Sequence, residues 1–190
     1  MYRKTLFFAL LLSLILAVTG CGTKQSSPLA GSVGQKISKS GQNTIAPGDK
    51  EKYSGAANYK KFQDLAAQNP KDPNAQISAG MSAFSNKDYT KAIQYYKQAI
   101  AVDPQNGIAY NNIGNVYLRG LNEPKTALQY YVKATEIQPS YDYGWLNLAL
   151  CQKALGDTSG EKATIDKGMK VLGKEDQLYT SLLQLKSQLK

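Results

Sequence analysis

Histidine is absent from this sequence of 190 residues, which excludes an imidazole base, the usual catalytic triad and a histidine metal site. Cysteine is scarce, because only Cys21 and Cys151 occur and they allow at most one intramolecular disulfide. The net charge is +9, but the basic residues form no run, so we expect a solvated surface rather than a nucleic-acid groove. The carboxylates form no paired constellation. We therefore predict that the chain is not an enzyme and has no catalytic residue, no cofactor and no metal ligand.

The first twenty residues have the pattern of a secretory signal. Two basic residues within Met1–Lys4 precede the apolar run Leu6–Val18, which has the length of a signal-peptide core and is short for a permanent membrane helix. The run ends at Val18-Thr19-Gly20-Cys21, which resembles the lipobox of bacterial lipoproteins. That resemblance implies that residues 1–20 are removed and that Cys21 becomes an N-terminus carrying a covalent diacylglycerol. It also implies an extracytoplasmic location on a bacterial membrane. If the cell has two membranes, Gly22 after the cysteine favours the outer one.

Residues 21–50 are predicted to form a flexible tether behind this lipid anchor. Positions 22–50 hold five glycines, five serines and two prolines without apolar periodicity. Such a segment cannot bury enough apolar surface to offset its chain entropy, and its root-mean-square span would be roughly 30 Å. The remaining residues, 51–190, are long enough for one domain with a continuous core.

The second half of the chain repeats itself with a period of 34 to 35 residues. Five landmarks, Gly80, Ala92, Tyr96, Ala99 and Pro104, recur as Gly114, Ala127, Tyr131, Ala134 and Pro139. The glycine shifts by 34 residues and the others by 35, so we expect one extra residue within 119–125, between two helices. A third unit begins with Trp145, Leu148 and Ala149. Asp72-Pro73 predicts the cap and the first turn that open the first unit.

These landmarks resemble the tetratricopeptide repeat, a helix pair that stacks on its neighbours. The resemblance covers 73–104 and 107–139 and part of 142–172, where Ala163 is followed by lysines instead of a ring and a small residue. It implies an all-α, right-handed superhelical solenoid of about three helix pairs, at about 73–106, 107–141 and 142–174. Residues 51–70 read as an N-terminal half-repeat, and residues 175–189 as a C-terminal capping helix.

The same resemblance places the first helix of each unit along a concave, peptide-binding groove. The groove residues that it implies are Ile77, Met81, Phe84, Ile108, Asn111, Asn112, Asn115, Leu118, Arg119, Tyr143, Asn147 and Leu150. Ser78 and Lys153 lie on the same predicted surface. Asn112 and Asn147 occupy equivalent positions, where relatives use an asparagine ladder to hold extended chains through their peptide bonds. Alternatively, asparagine is simply common at these repeat positions, and residues 51–70 or the tether could cover the apolar part of the groove.

Some chaperone-binding relatives grip a C-terminal carboxylate with a cluster of lysine, arginine and asparagine. The matching positions here are Ile77, Met81, Asn112, Tyr143 and Asn147, which include no cation. We therefore expect an apolar or mixed ligand. Cys151 has no cationic neighbour in sequence and reads as a small buried hydrophobic residue.

The leading functional hypothesis is a membrane-tethered interaction scaffold that binds peptide segments of other envelope proteins. Two alternatives remain open. One is a binder of polyanions, such as a wall polymer or DNA, through the net positive charge. The other is a self-assembling structural lipoprotein, with a homo-oligomer formed through the leucine stripe Leu178, Leu182, Leu185 and Leu189.

Overall fold

The structure, a computed structural model, describes residues 51–189, and the signal peptide 1–20, the lipid site Cys21 and the tether 21–50 lie outside the described residues. The described chain is helical, with short connections and no strand between residues 51 and 189. Its elements are α1 Ala56–Gln68, α2 Pro73–Ser85, α3 Tyr89–Val102, α4 Gly107–Asn115, a π-helical turn Val116–Gly120, α5 Pro124–Ile137, α6 Asp142–Ala154, α7 Thr158–Leu172 and α8 Gln177–Ser187. Within this part of the chain, no helix combines the length and apolar character that crossing a bilayer requires.

The helices form hairpins that stack in chain order. Helix α2 packs on α3, α4 on α5 and α6 on α7, while α1, α3, α5 and α7 each also pack on the helix that follows them. The first helices α4 and α6 of consecutive hairpins also touch directly. Because each hairpin contacts mainly its neighbours, the arrangement is a solenoid, and the predicted all-helical fold class is confirmed.

Side-chain caps start most of the helices. The Asp72 carboxylate accepts a hydrogen bond from the Asn74 N–H at 2.9 Å, with Pro73 in the first turn, which confirms the predicted opening of the first unit. The same type of cap begins four further helices, through Asp88, Asn106, Asp157 and Asp176. Each cap satisfies backbone N–H groups that the helix itself leaves unpaired, and so fixes where the helix starts.

A glycine facing a tyrosine ring sets the distance between the two helices of the first and second hairpins. A Cβ placed on Gly80 would lie 2.5 Å from Cε1 of Tyr96, and one on Gly114 would lie 2.6 Å from Cε1 of Tyr131. Both rings are buried, at 2% and 0% exposure. The recurring glycine and tyrosine of the sequence are therefore one packing unit, in which the missing side chain makes room for the ring.

The extra residue of the second unit widens the end of a helix instead of lengthening a loop. Val116–Gly120 forms a π-helical turn closed by the hydrogen bond from the Leu121 N–H to the Val116 carbonyl, at 3.0 Å. Gly120 lies under the ring of Tyr89 on α3, where a Cβ would approach Cε1 to 2.8 Å. The expectation of an insertion at 119–125 between helices is therefore only partly right, because the chain takes up the excess from residue 116.

In the third hairpin, the repeat pattern of α7 does not align on Ala163, the residue that the sequence suggested. Ala163 is exposed, whereas Glu161, Ile165 and Gly168 are buried on α7. These three residues follow Ala127, Tyr131 and Ala134 by 34 positions each, so they occupy the small, large and small sites of the repeat. The prediction based on Ala163 was wrong because a glutamate stands at the first small site.

Both ends of the described stack are closed by the chain itself. Residues 51–53 are helical, and the Tyr53 carbonyl accepts hydrogen bonds from Ser82 Oγ at 2.6 Å and Asn86 Nδ2 at 3.2 Å. Asn86 Oδ1 in turn accepts from the Gly55 N–H at 3.0 Å. At the other end, Leu182 and Leu185 of α8 join a buried cluster with Trp145, Ala149 and Ile165.

Candidate functional site

The predicted groove residues lie on α2, on α4 with its π turn, and on α6, and they differ widely in exposure. Seven are buried: Ile77, Met81, Ile108, Asn111, Asn112, Asn115 and Asn147. Four are half-buried: Phe84, Leu118, Tyr143 and Leu150. Only Arg119 is exposed. The assignment of these twelve residues to a binding site stays a prediction, and the contacts below show what each part of the surface can do.

A buried amide network joins α4 to α6. Asn147 Nδ2 donates to Asn111 Oδ1 at 2.9 Å, and Asn111 Nδ2 donates to the Tyr141 hydroxyl at 3.4 Å. Arg119 Nη2 donates to Asn147 Oδ1 at 3.2 Å. Asn147 therefore uses both ends of its amide to hold neighbouring hairpins together, which gives it a structural role besides any contact with a guest chain.

Asn112 occupies the equivalent position one hairpin earlier, and its environment is different. Its Oδ1 accepts a long hydrogen bond of 3.5 Å from Asn115 Nδ2, and Asn115 Oδ1 accepts from the Tyr131 hydroxyl at 2.9 Å. Its Nδ2 is buried and has no acceptor within residues 51–189. A buried donor without a partner costs about 1–3 kcal/mol. An acceptor on a bound chain could remove that cost. Because Nδ2 is buried, the side chains that cover it would first have to move.

Arg119 is the only arginine after Arg3, and it lies on this surface. Its guanidinium makes the hydrogen bond to Asn147 and forms no ion pair with any residue that the structure describes. Tyr131 lies near enough for the arginine charge to lower its pKa, although burial has the larger effect and leaves that pKa well above its usual range. Arg119 is thus a cation whose hydrogen-bond partner in the described chain is a neutral amide.

Three half-buried side chains share the predicted surface with this cation: Leu118 on the π turn, and Tyr143 and Leu150 on α6. The ring of Tyr143 lies 6.3 Å from that of Tyr141, at an angle of 39°. Tyrosine and arginine are enriched in the central parts of protein interfaces, because they combine a large apolar area with hydrogen bonding. The part of the surface most accessible to a partner is therefore aromatic, aliphatic and cationic.

Sequence reasoning missed the tyrosine hydroxyls and the buried acidic group beside this surface. The hydroxyls of Tyr131 and Tyr141 both bond to asparagines of α4, across the stack and far away in sequence. Asp142, at the start of α6, is 2% exposed, and its pKa is raised to about 6, mainly by burial and also by the charge of Asp176. Cys151 is fully buried, as predicted; its Sγ donates to the Pro124 carbonyl at 3.3 Å, and burial raises its pKa to about 11.

Comparisons with known proteins identify the repeat. The family described as "TPR repeat" matches residues 80–120, and the one described as "Tetratricopeptide repeat" matches residues 108–141. Among solved structures, a thermophilic TPR protein of Thermus thermophilus superposes with a TM-score of 0.60 at 15% identity. The superposition covers 70% of this chain and 73% of that one, and it supports the fold alone.

Curated relatives share parts of the repeat region. The Heat shock protein sti1 homolog of Schizosaccharomyces pombe is 34% identical over 103 residues, which are 54% of this chain and 17% of that protein. A Peroxisomal targeting signal receptor of Eremothecium gossypii is 29% identical over 85 residues, which are 45% of this chain and 15% of the receptor. The chain thus spans less than a fifth of either relative. Residues 80–141 thus match the tetratricopeptide repeat, and the stacked hairpins around them form an all-helical solenoid like that of the solved TPR protein.

Proposed function

We propose that this chain is a membrane-tethered adaptor that binds an extended segment of another envelope protein along α2, α4 and α6. The carrying observation is the composition of the accessible part of that surface. Tyr143, Leu118 and Leu150 are half-buried and accompany Arg119, the only exposed residue among the predicted groove residues. Together these side chains offer apolar area and hydrogen bonding on the predicted surface, as interface centres do.

Two further observations support a peptide as the guest. Asn112 keeps a buried N–H donor without a partner inside the described region, and a peptide carbonyl is a suitable acceptor for it. The two curated relatives are named as a heat shock protein and as a receptor for a targeting signal. By analogy, a short segment of a partner protein is a reasonable ligand for these repeats.

The proposed location follows from the N-terminal sequence. The apolar run and the lipobox-like Val18-Thr19-Gly20-Cys21 favour a lipid on Cys21 and a domain held outside the cytoplasm. Two acyl chains would make that anchor durable, because each buried methylene contributes about 0.8 kcal/mol. The tether of residues 22–50 would then let the domain reach partners near the membrane surface.

The self-assembly alternative loses its proposed surface in this structure. Leu182 and Leu185, the central residues of the leucine stripe, are buried against α6 and α7 at 0% and 9% exposure. A second copy could use that stripe only if α8 detached. The polyanion alternative stays a hypothesis.

Affinity purification of the full chain from detergent-solubilised membranes tests the proposal. We expect Tyr143→Ser together with Leu150→Ser to reduce recovery of the co-purifying partner at least about tenfold, because both substitutions remove apolar interface area. The matched control is Val132→Ser, which removes an apolar side chain that is 36% exposed from α5, outside the predicted groove. Equal recovery with all three proteins would refute the groove as the binding surface, and membrane release by Cys21→Ser tests the anchor separately.

A further inference from the structure

We propose that Arg119 forms an anion subsite, and that the bound segment carries an aspartate or glutamate side chain where it passes the π turn. This inference rests on the proposed function, which it makes more specific. It differs from the grip on a C-terminal carboxylate that the sequence argued against. The carboxylate belongs to a side chain inside the guest segment. The cation, Arg119, is not at any of the five positions that match the C-terminal carboxylate grip.

The guanidinium is oriented but not neutralised. Only its Nη2 is used, in the 3.2 Å hydrogen bond to Asn147 Oδ1, and it has no acidic partner within the described chain. An arginine has five N–H donors in a planar fork, which suits bidentate binding of a carboxylate. Asn147 is itself held by Asn111 at 2.9 Å, so the acceptor that positions the guanidinium is fixed.

The π turn places the arginine at this point. The turn is closed by the Val116–Leu121 hydrogen bond and is held against α3, because Gly120 lies under the ring of Tyr89. The repeat before it has no π turn at the corresponding end of its first helix, α2. The extra residue thus brings a cation to the surface between consecutive first helices, at the contact of α4 with α6.

The charged residues assigned to the predicted surface itself are basic. The predicted groove residues include Arg119 and no acid, and Lys153 on the same predicted surface of α6 donates through Nζ to Gln188 Oε1 at 2.7 Å. Basic side chains at a surface lower the free energy of a bound anion and raise its rate of encounter. The occupant that complements this surface is an extended peptide with apolar residues for Tyr143 and Leu150 and an acidic residue between them.

Binding of three immobilised pools of twelve-residue peptides to the full chain in detergent tests the inference. The first pool fixes aspartate or glutamate at the centre and has an amidated C-terminus. The second replaces that residue with asparagine or glutamine, and the third has the same neutral centre with a free C-terminal carboxylate. We expect about a tenfold preference for the first pool over the second, since hydrogen bonds to charged groups are stronger than neutral ones.

Three variants test whether the preference for the acidic pool depends on Arg119 itself or on positive charge in general. Arg119→Gln should abolish the preference, Arg119→Lys should retain part of it, and Lys125→Gln, which removes an exposed charge from α5, should leave it unchanged. Circular dichroism checks that each variant is folded.

The outcomes are distinct. Binding of all pools by the wild type without preference would overturn the anion subsite and leave the proposed function standing. A preference for the third pool alone, or equal losses in Arg119→Gln and Lys125→Gln, would also overturn it. No binding of any pool would refute the proposed function as well.

Discussion

The pairing of Gly114 with Tyr131 leads to a quantitative prediction about two substitutions made together. Gly114→Ala adds a methyl group 2.6 Å from Cε1 of a ring that is 0% exposed and whose hydroxyl is bonded to Asn115. Overpacking of this kind costs about 1–3 kcal/mol, and the better helix propensity of alanine returns about 1 kcal/mol. We expect a net loss of about 1 kcal/mol in the free energy of unfolding.

Tyr131→Ile alone should cost more, about 2–4 kcal/mol, because it leaves a cavity and removes the hydroxyl bonded to Asn115. The double variant should be less destabilised than the sum, by about 1–2 kcal/mol, since the new methyl group fills part of the space left by the ring. The third hairpin already has this combination, because Ala149 and Ile165 occupy the equivalent sites and are fully buried.

Urea unfolding of the full chain in detergent, followed by circular dichroism, measures the coupling. The control cycle combines Gly114→Ala with Tyr130→Ile, which removes a neighbouring ring that stacks on Tyr117 at 5.4 Å instead. That control should be additive within about 0.5 kcal/mol. Additivity in the Tyr131 cycle as well would refute the idea that the glycine and the ring are one packing unit.

Three other predictions follow from buried groups. Because the pKa of Asp142 is raised to about 6 in the folded chain, its charge opposes folding at neutral pH. Asp142→Asn should therefore increase the free energy of unfolding at pH 7 by about 1–3 kcal/mol and have little effect below pH 4, measured by urea unfolding; an equal effect at both pH values would contradict this. Cys151, with a pKa raised to about 11, should not react with Ellman's reagent until the chain unfolds, and a rapid reaction in buffer would show that the third hairpin opens. Asn86→Ala should speed amide hydrogen exchange at Gly55 at least about tenfold and leave α5 unchanged, whereas a uniform increase would indicate global destabilisation.

The helix pairs were predictable because the packing depends on the size of a few side chains at fixed spacing. Gly80 with Tyr96, and Gly114 with Tyr131, recur because each ring needs the space that each glycine leaves. The third hairpin was harder to place, since Glu161 stands at a small-residue site and Ala163 two positions later gave a false landmark. Size patterns fail where a polar residue is buried at a site that is usually apolar.

The details of the candidate site depend on contacts that sequence spacing does not encode. The bond between Asn147 and Asn111 joins residues 36 positions apart, so the internal role of Asn147 was visible only in the fold. The π turn was not predicted either, because one extra residue between two landmarks can be accommodated at several places along the chain. The assignment of Arg119 to the groove stays a prediction, and the position of its side chain depends on both features.

If the proposed lipid anchor is present, the contacts at Tyr53 would have a mechanical consequence. A pull between the anchor and a guest held on α4 and α6 would reach the domain at residues 51–55. There Ser82 and Asn86 hold the Tyr53 carbonyl, so the load would pass directly to α2 and not only through α1. The hydrogen bonds at residues 53–55 would resist separation of the N-terminal segment from α2. The helix hairpins could then stay folded while a bound guest is under tension.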